Sequence, residues 1–186
     1  MKTVRIGEQI WMTENLNVDK FRNGDPIPEA RTDEEWVEAG KNKKPAWCYY
    51  ENDPANGEKY GKLYNWYAVN DPRGLAPEGW SIPTHEEWGQ LLTYLGGITV
   101  AGKKLKNKED WDESVNSTNE TCYTALAGGF RHSSGQFFGI LELAFWWCGS
   151  DLDDTFARSR YLERGTFFVG SDARFKSDGL SVRCIR

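Results

Sequence analysis

Tryptophan is the residue that most constrains how this chain can fold, since nine of its 186 residues are tryptophan. An indole ring is large, and its N–H needs a hydrogen-bond acceptor when the ring is buried. Backbone carbonyls in irregular segments are free to accept, so a core rich in tryptophan is typical of loop-rich folds. The 19 glycines indicate many turns as well. We therefore predict one domain over residues 1–186, mostly β, with long irregular segments.

Charge and hydropathy exclude two classes of protein. The formal net charge is −5 and the basic residues form no continuous block, so no nucleic-acid partner is expected. No run of about 18 apolar residues occurs, so we expect no membrane span. Residues 2–10 are polar and lead straight into the domain, which is not the pattern of a signal peptide.

The four cysteines do not have the short spacings of a zinc site. They are Cys48, Cys122, Cys148 and Cys184. A disulfide framework and a set of buried free thiols are both compatible with four cysteines in a chain of this length. We expect no metal ion and no cofactor.

Local signals predict a hairpin and two helices. Alternation around Gly7 over residues 4–12 predicts a strand or hairpin at the N-terminus. A threonine cap and three acids predict a short helix over 32–40, and 45–50 is typical of a strand. Thr84 and Glu87 form a capping box before an apolar stripe, which predicts a helix over 85–95. From Trp111 onward no helical period is present, so we expect short strands and long loops there.

Four segments carry a resemblance to a known family. They are Tyr60-Gly61-Lys62-Leu63-Tyr64-Asn65-Trp66-Tyr67-Ala68, Ala76-Pro77-Glu78-Gly79-Trp80-Ser81-Ile82-Pro83-Thr84, Gly128-Gly129-Phe130-Arg131 and Gly179-Leu180-Ser181-Val182-Arg183-Cys184. In their order and spacing they resemble the Fibrobacter succinogenes major paralogous domain family, from about Val4 to Arg186. The resemblance implies an α+β fold of the C-type-lectin-like kind, in the formylglycine-generating-enzyme branch. That fold has two short helices on a twisted antiparallel sheet, long loops and chain termini that lie close together.

The chain departs from the family pattern at two places. Members commonly carry a cysteine where this chain has Ala76, so the disulfide that the resemblance implies from there to Cys184 cannot form. We expect Cys184 to be buried and reduced, and the denatured chain to show four reactive thiols. The match is loosest over 148–178, which we take as the candidate variable, ligand-binding segment.

Catalytic and metal-binding interpretations find little support in the residues. An oxidase of the formylglycine-generating kind needs a cysteine pair for copper, and neither Cys148 nor Cys184 lies in that motif. His85 falls in the first turn of a predicted helix, where a solvated or capping role is the simpler interpretation. The acids of 151–154 could hold calcium, but they lack a defined loop pattern, and a solvated loop is favoured.

Aromatic and arginine residues over 148–178 have the composition of a recognition surface. The candidate ligand-binding residues are Leu152, Asp153, Asp154, Phe156, Arg158, Tyr161, Arg164, Phe167, Phe168, Asp172, Arg174, Phe175 and Asp178. We expect most of seven arginine and aromatic members to be at least partly exposed and to share one face; they are Phe156, Arg158, Tyr161, Arg164, Phe167, Arg174 and Phe175. Trp146, Trp147, Val182 and Cys184 should form the buried frame behind them.

Asparagine usage breaks sharply along the chain. It occurs eleven times in the first 122 residues and never afterwards, and eleven of twelve lysines fall at or before Lys108. Both amino acids have adenine-rich codons, so their joint loss is the mark expected of a diversity-generating retroelement, which rewrites adenines in its target gene. Targets of such elements resemble this branch of the fold. Undirected compositional drift of a surface segment is an equally good explanation.

Together these observations predict a non-catalytic module that binds a protein or glycan ligand through a variable C-terminal surface. The family resemblance implies a place outside the cell, on the cell surface or on a phage particle, and we favour a monomer. The alternatives are an oxidase related to the formylglycine-generating enzyme and a structural module of a bacterial surface assembly.

Overall fold

A computed structural model of the chain describes residues 2–111 and 117–186 and has an α+β architecture. Within those residues the strands are β1 (Thr3–Ile6), β2 (Gln9–Met12), β3 (Trp47–Cys48), β4 (Leu63–Tyr64), β5 (Gly128–Arg131), β6 (Phe137–Ile140), β7 (Leu143–Asp151), β8 (Phe156–Glu163) and β9 (Val169–Phe175). The helices are α1 (Asp33–Lys41), α2 (Pro54–Tyr60), α3 (Trp66–Val69), α4 (His85–Tyr94) and α5 (Ala101–Leu105), with a 3-10 turn at Tyr50–Asn52.

The two predicted helices are confirmed, and both begin at a capping box. Thr84 Oγ1 accepts from the Glu87 N–H at 3.1 Å, and the Glu87 carboxylate accepts from the Thr84 N–H at 2.7 Å. Thr32 and Glu35 make the same reciprocal pair at the start of α1. These contacts form within four residues of chain, which is why the sequence alone predicts them.

Besides the two short helices that the resemblance implies, the described residues contain three further short ones. α2 begins at an Asp53 cap with Pro54 in its first position, and α3 is a single turn capped by Asn65. All three are too short to show an apolar period in the sequence, and α5 has no side-chain cap to mark its start. The strand predicted over 45–50 is reduced to the two residues of β3.

The C-terminal segment joins the sheets and brings the chain ends together. β1 and β2 form the predicted hairpin, which turns at Gly7 with a φ of 61°. Backbone bonds of 2.9 and 3.0 Å then pair Ile10 with Arg186, so the ends lie side by side as expected. The same segment bonds to β4 through Leu180 and runs beside β7 through Ser181.

Residues 128–175 form the main sheet, of five strands in the order β6-β5-β7-β8-β9. The expectation of short strands and long loops in this region is wrong, because β7, β8 and β9 have nine, eight and seven residues. Their alternation escaped detection because apolar side chains lie on both faces, so no clean two-residue period appears. No helix occurs over 117–186, as predicted, while 112–116 lie outside the described residues.

Each face of the sheet packs against its own helix. Ala144, Trp146 and Leu162 pack with Trp88 and Leu91 of α4, so we name that side the α4 face. Phe145, Trp147 and Ala157 pack with Trp66 of α3 on the other side, the α3 face. The four frame residues are buried as predicted, none exposing more than 1% of its surface.

Four of the eight buried indoles of the described residues donate to backbone carbonyls, whereas those of Trp66 and Trp88 have no hydrogen-bond partner there. Trp147 donates to the Tyr64 carbonyl at 2.7 Å, and Trp36 donates to the Ser177 carbonyl at 2.9 Å. Cys184 is buried, as predicted, together with Cys48 and Cys148, whereas Cys122 is exposed. All four cysteines are free thiols among the described residues.

Candidate functional site at the β8–β9 hairpin

The candidate ligand-binding residues lie on and around the hairpin of β8 and β9. All of the seven arginine and aromatic members that were expected to be accessible are at least partly exposed; they are Phe156, Arg158, Tyr161, Arg164, Phe167, Arg174 and Phe175. The expectation that they share one face is wrong. Pairing of Phe156 with Phe175 and of Ala157 with Arg174 fixes the pleat, and successive side chains of a strand point to opposite faces.

Arg174 and Asp178 belong to the packing of the α3 face and are removed from the candidate set. The Arg174 guanidinium lies 4.2 Å from the ring centre of Phe130 and 4.8 Å from that of Phe145. Its Nε is 3.1 Å from the carboxylate of Asp178, which is 1% exposed and also accepts from the Ser133 N–H. Burial raises the pKa of Asp178 although Arg174 opposes it. This ion pair holds the sheet edge to the chain that follows.

Tyr161 also has a packing role. Its ring lies 5.5 Å from that of Phe145 and crosses directly over Gly170, where an added Cβ would overlap the ring. Asp172, on the same face, is exposed and lies 3.8 Å from Arg174. The α3 face therefore tolerates little change at Tyr161.

Three candidates lie at the opposite end of the hairpin. Arg164, Phe167 and Phe168 occupy the turn between β8 and β9, roughly 24 Å along the strand from Phe156. The Phe167 carbonyl accepts from the Gly102 N–H at 3.0 Å, which ties this turn to α5. These residues are accessible, but one small ligand does not contact both ends of the hairpin.

We name as the hairpin tip the turn 152–155, which joins β7 to β8, together with the residue pair at the adjoining end of β8 and β9, Phe156 and Phe175. The two rings lie 4.7 Å apart, and Phe175 is 41% exposed. Leu152 is 40% exposed, and its N–H donates to the Phe156 carbonyl. Asp153 is a turn residue: its carboxylate accepts from the N–H groups of Thr155 and Phe156, which lower its pKa. The tip thus presents an apolar surface on a rigid turn.

Asp154 lines a cleft of about 290 Å³ on the α3 side of the tip. Trp66, Tyr67, Asp71 and Lys176 also line it. Arg73 binds the Asp71 carboxylate at 2.8 Å, and Lys176 pairs with Asp151 at 2.8 Å. The charges of this cleft are therefore largely matched within the protein.

The α4 face of the hairpin carries two arginines. Arg158 is partly exposed and follows Phe156 on the same face, and Arg160 is next, 6% exposed. Sequence reasoning named Arg158 as a candidate and missed Arg160, although the residues around the two arginines do not distinguish them. Neither arginine forms an ion pair with a carboxylate within residues 2–111 and 117–186.

Arg160 points at the first residue of α4. Its Nη2 lies 3.3 Å from both ring nitrogens of His85 and 3.3 Å from the His85 carbonyl oxygen. Equal distances to both nitrogens are not those of an in-plane hydrogen bond to either one. Arg160 Nε has no hydrogen-bond partner in the part of the chain that the structure describes, and the Cys148 thiol is the other neighbour of the guanidinium. The guanidinium is thus buried with weak partners.

Burial and positive charge shift the pKa values of the groups around Arg160. Burial first, and then Arg160 and Arg158, lower the pKa of His85. Burial raises the pKa of Cys148 to about 12, against the pull of the same two arginines. Burial also lowers the pKa of Arg160 itself. The two arginines thus outweigh the carboxylate of Glu86, which acts on His85 in the opposite direction.

The described residues contain neither a cluster of metal ligands nor a membrane-spanning helix. Within that part of the chain no three His, Cys, Asp or Glu side chains are grouped to hold a metal ion. None of the helices over 2–111 and 117–186 is long and apolar enough to cross a bilayer.

Comparison with known proteins gives one match. A family model described as the Fibrobacter succinogenes major domain matches residues 4–186. No curated protein and no solved structure matches the chain. The model covers the hairpin and every candidate residue on it.

Proposed function

Because the chain belongs to the Fibrobacter succinogenes major domain family, we propose that it is a non-catalytic binding module with a C-type-lectin-like fold. Its ligand contacts the hairpin tip and the adjoining α4 face. The observation that carries this proposal is the exposed pair of Phe156 and Phe175 beside Arg158, an arginine with no ion-pair partner among the described residues. Aromatic and arginine side chains dominate the energetics of protein recognition.

The packing behind the tip supports a surface that tolerates change. Phe156, Arg158 and Phe175 lie on the α4 face, beyond the part of it that packs on α4, while Trp147 and Ala157 are buried on the α3 face. Substitutions at exposed positions usually change stability by within about 0.5 kcal/mol, whereas core truncations cost about 2–5 kcal/mol. The tip residues are therefore suited to variation while the frame stays constant.

We propose further that a diversity-generating retroelement supplies this variation. The absence of asparagine after residue 122, together with the single lysine after Lys108, supports it, because both amino acids have adenine-rich codons. The positions at which variation serves recognition are Leu152, Phe156, Arg158 and Phe175. Sequences from several isolates should then differ mostly at those positions beside an unchanged frame, and differences spread evenly over the chain would contradict diversification.

We also propose that the protein acts outside the cell, on the cell surface or on a phage particle. Its ligand there is a protein or a glycan. The oxidase alternative predicts copper at unit occupancy in the purified protein, which elemental analysis measures. A structural module predicts no selective ligand at the tip.

An array of glycans and peptides tests the recognition surface. Wild-type protein should bind a defined subset of spots, and the double variant F156S/F175S should lose it. The matched control is F138S, which removes a phenylalanine that is 49% exposed on β6, away from the hairpin. Spots that survive in F156S/F175S contradict the proposed surface, as does equal loss in F138S.

A further inference from the structure

Arg160 is a buried cation that has no counter-ion among the described residues. It exposes 6% of its surface, its Nε has no partner, and its best oxygen contact is the His85 carbonyl at 3.3 Å. Moving a charge out of water costs several kcal/mol even after relaxation, and a carboxylate usually offsets that cost. Neither Arg160 nor Arg158 has such a partner among the described residues.

The surroundings of Arg160 add positive charge. The guanidinium lies against His85, the first residue of the ten-residue helix α4, whose N-terminal end carries a partial positive charge. Arg158 is near enough to act on the same imidazole. Glu86 is exposed and acts on His85, but it forms no ion pair with either arginine among the described residues.

Ser150 and Arg160 both contact His85 at this end of α4. The Ser150 hydroxyl accepts from the His85 N–H at 2.9 Å, which leaves its own hydrogen free to donate. Arg160 has five N–H donors, and one long carbonyl contact and a thiol use only part of them. Such a set of donors matches the oxygens of an anion, which Arg binds in a planar, bidentate manner.

We propose that Arg160, with Arg158, Ser150 and the start of α4, forms a binding site for an oxyanion group of the ligand. The inference rests on the proposed function, because the site borders the hairpin tip and the ligand would bridge both. The tip contacts the apolar part of the ligand. The arginines bind its sulfate, phosphate or carboxylate group.

Inorganic sulfate is the probe that tests this site, in buffers of constant ionic strength made up with chloride. Calorimetry or amide NMR titration should show one saturable site in the wild-type protein, with a Kd on the order of 1 mM. The R160M variant should bind at least about ten-fold more weakly, and R158Q should also bind more weakly. Sulfate stabilises proteins generally by exclusion from their surface, so a rise in Tm with sulfate would not by itself demonstrate binding at this site.

The matched control is R5Q, which removes the same charge from an exposed arginine on β1. Sulfate affinity should be unchanged in R5Q. Unchanged affinity in both R160M and R158Q would overturn the site, and so would the absence of saturable binding to the wild-type protein.

Stability of R160M gives a second readout that needs no ligand. If the arginine is an unpaired cation, methionine in its place removes a buried charge, and the Tm in chloride buffer rises. A fall in Tm, or failure of R160M to fold, would show that Arg160 is structural and would overturn the proposal.

Different experiments test the recognition surface and the anion site, so that either proposal can be contradicted while the other stands. Array binding that survives F156S/F175S contradicts the recognition surface and leaves the sulfate result intact. Unchanged sulfate affinity in R160M contradicts the anion site and leaves the array result intact.

Discussion

Buried arginines occur in two regions of this molecule, and the two regions differ in how many hydrogen-bond acceptors surround the guanidinium group. Arg131 at the end of β5 and Arg183 in the C-terminal segment are fully buried, and Arg160 is nearly so on the hairpin. Arg131 donates to the carbonyls of Gly135, Ala30 and Thr32 at 2.8–2.9 Å. Arg160 has one carbonyl, at 3.3 Å.

Arg183 is satisfied just as thoroughly as Arg131. Its Nε and Nη2 donate to the Asn15 side-chain oxygen at 3.0 and 2.7 Å, and its Nη1 donates to the Tyr123 carbonyl at 2.6 Å. The Tyr123 ring lies 4.5 Å from the guanidinium. A buried arginine that fixes a fold thus has acceptors for most of its donors, and burial alone does not identify that role.

The largest effect should come from R183M, which has the opposite sign to R160M. Methionine at 183 leaves the Tyr123 carbonyl without the donor that it has in the wild-type protein, which costs about 1–3 kcal/mol. It also removes both arginine N–H groups from the Asn15 amide oxygen, which keeps only the Trp146 indole N–H. We expect a loss of at least about 3 kcal/mol in urea unfolding. A loss in R183M no larger than that in R160M would erase the distinction between the regions.

A smaller effect is expected where the hairpin itself is packed. G170A places a methyl group against the Tyr161 ring, and such overpacking costs about 1–3 kcal/mol. A173S, an exposed neighbour on the α4 face, should change stability by within about 0.5 kcal/mol. Chemical denaturation of both variants measures the difference between the two faces, and equal costs would contradict it.

The helix caps beside Arg160 and Arg131 should contribute equally to the free energy of unfolding. T84A removes the cap of α4 before His85, and T32A removes the cap of α1, whose Thr32 carbonyl accepts from Arg131. Each should lower the free energy of unfolding by about 1 kcal/mol without unfolding the domain. A cost from T84A well above that of T32A would mean that the cap is coupled to the Arg160 site.

The smallest effect concerns pH at His85. Its pKa lies below its ordinary value of 6.5, so the unfolded chain takes up the proton first as pH falls. The stability that neutral His85 contributes is present above pH 6.5 and is lost on acidification toward the lower folded pKa. H85Q should flatten this part of the stability profile.

R160M sharpens the same measurement, because it removes one of the charges that repel the imidazolium. The pKa of His85, followed by NMR, should rise in R160M toward the ordinary value. An unchanged pKa would mean that Arg160 does not act on this ring.

Part of the hairpin was predictable from sequence and part was not. Exposure of Phe156 and Phe175 and burial of Trp146 and Trp147 followed from their polar and apolar surroundings. The face on which each lies did not, because it depends on the register between β8 and β9 and on a bulge between Trp147 and Asp151. For this reason the sequence did not predict that Arg174 is a packing residue, nor that Arg160 is buried beside His85.

The sequence by itself determined the features made by near neighbours: the two capping boxes, the turn at Gly7 and the need of nine indoles for acceptors. Tertiary structure alone decided which arginines have partners. Arg131 meets the Ala30 carbonyl across 101 positions of chain, and Arg183 meets Asn15 across 168. Cap contacts form within one helical turn, whereas the acceptors of a buried guanidinium are assembled only when distant segments pack together.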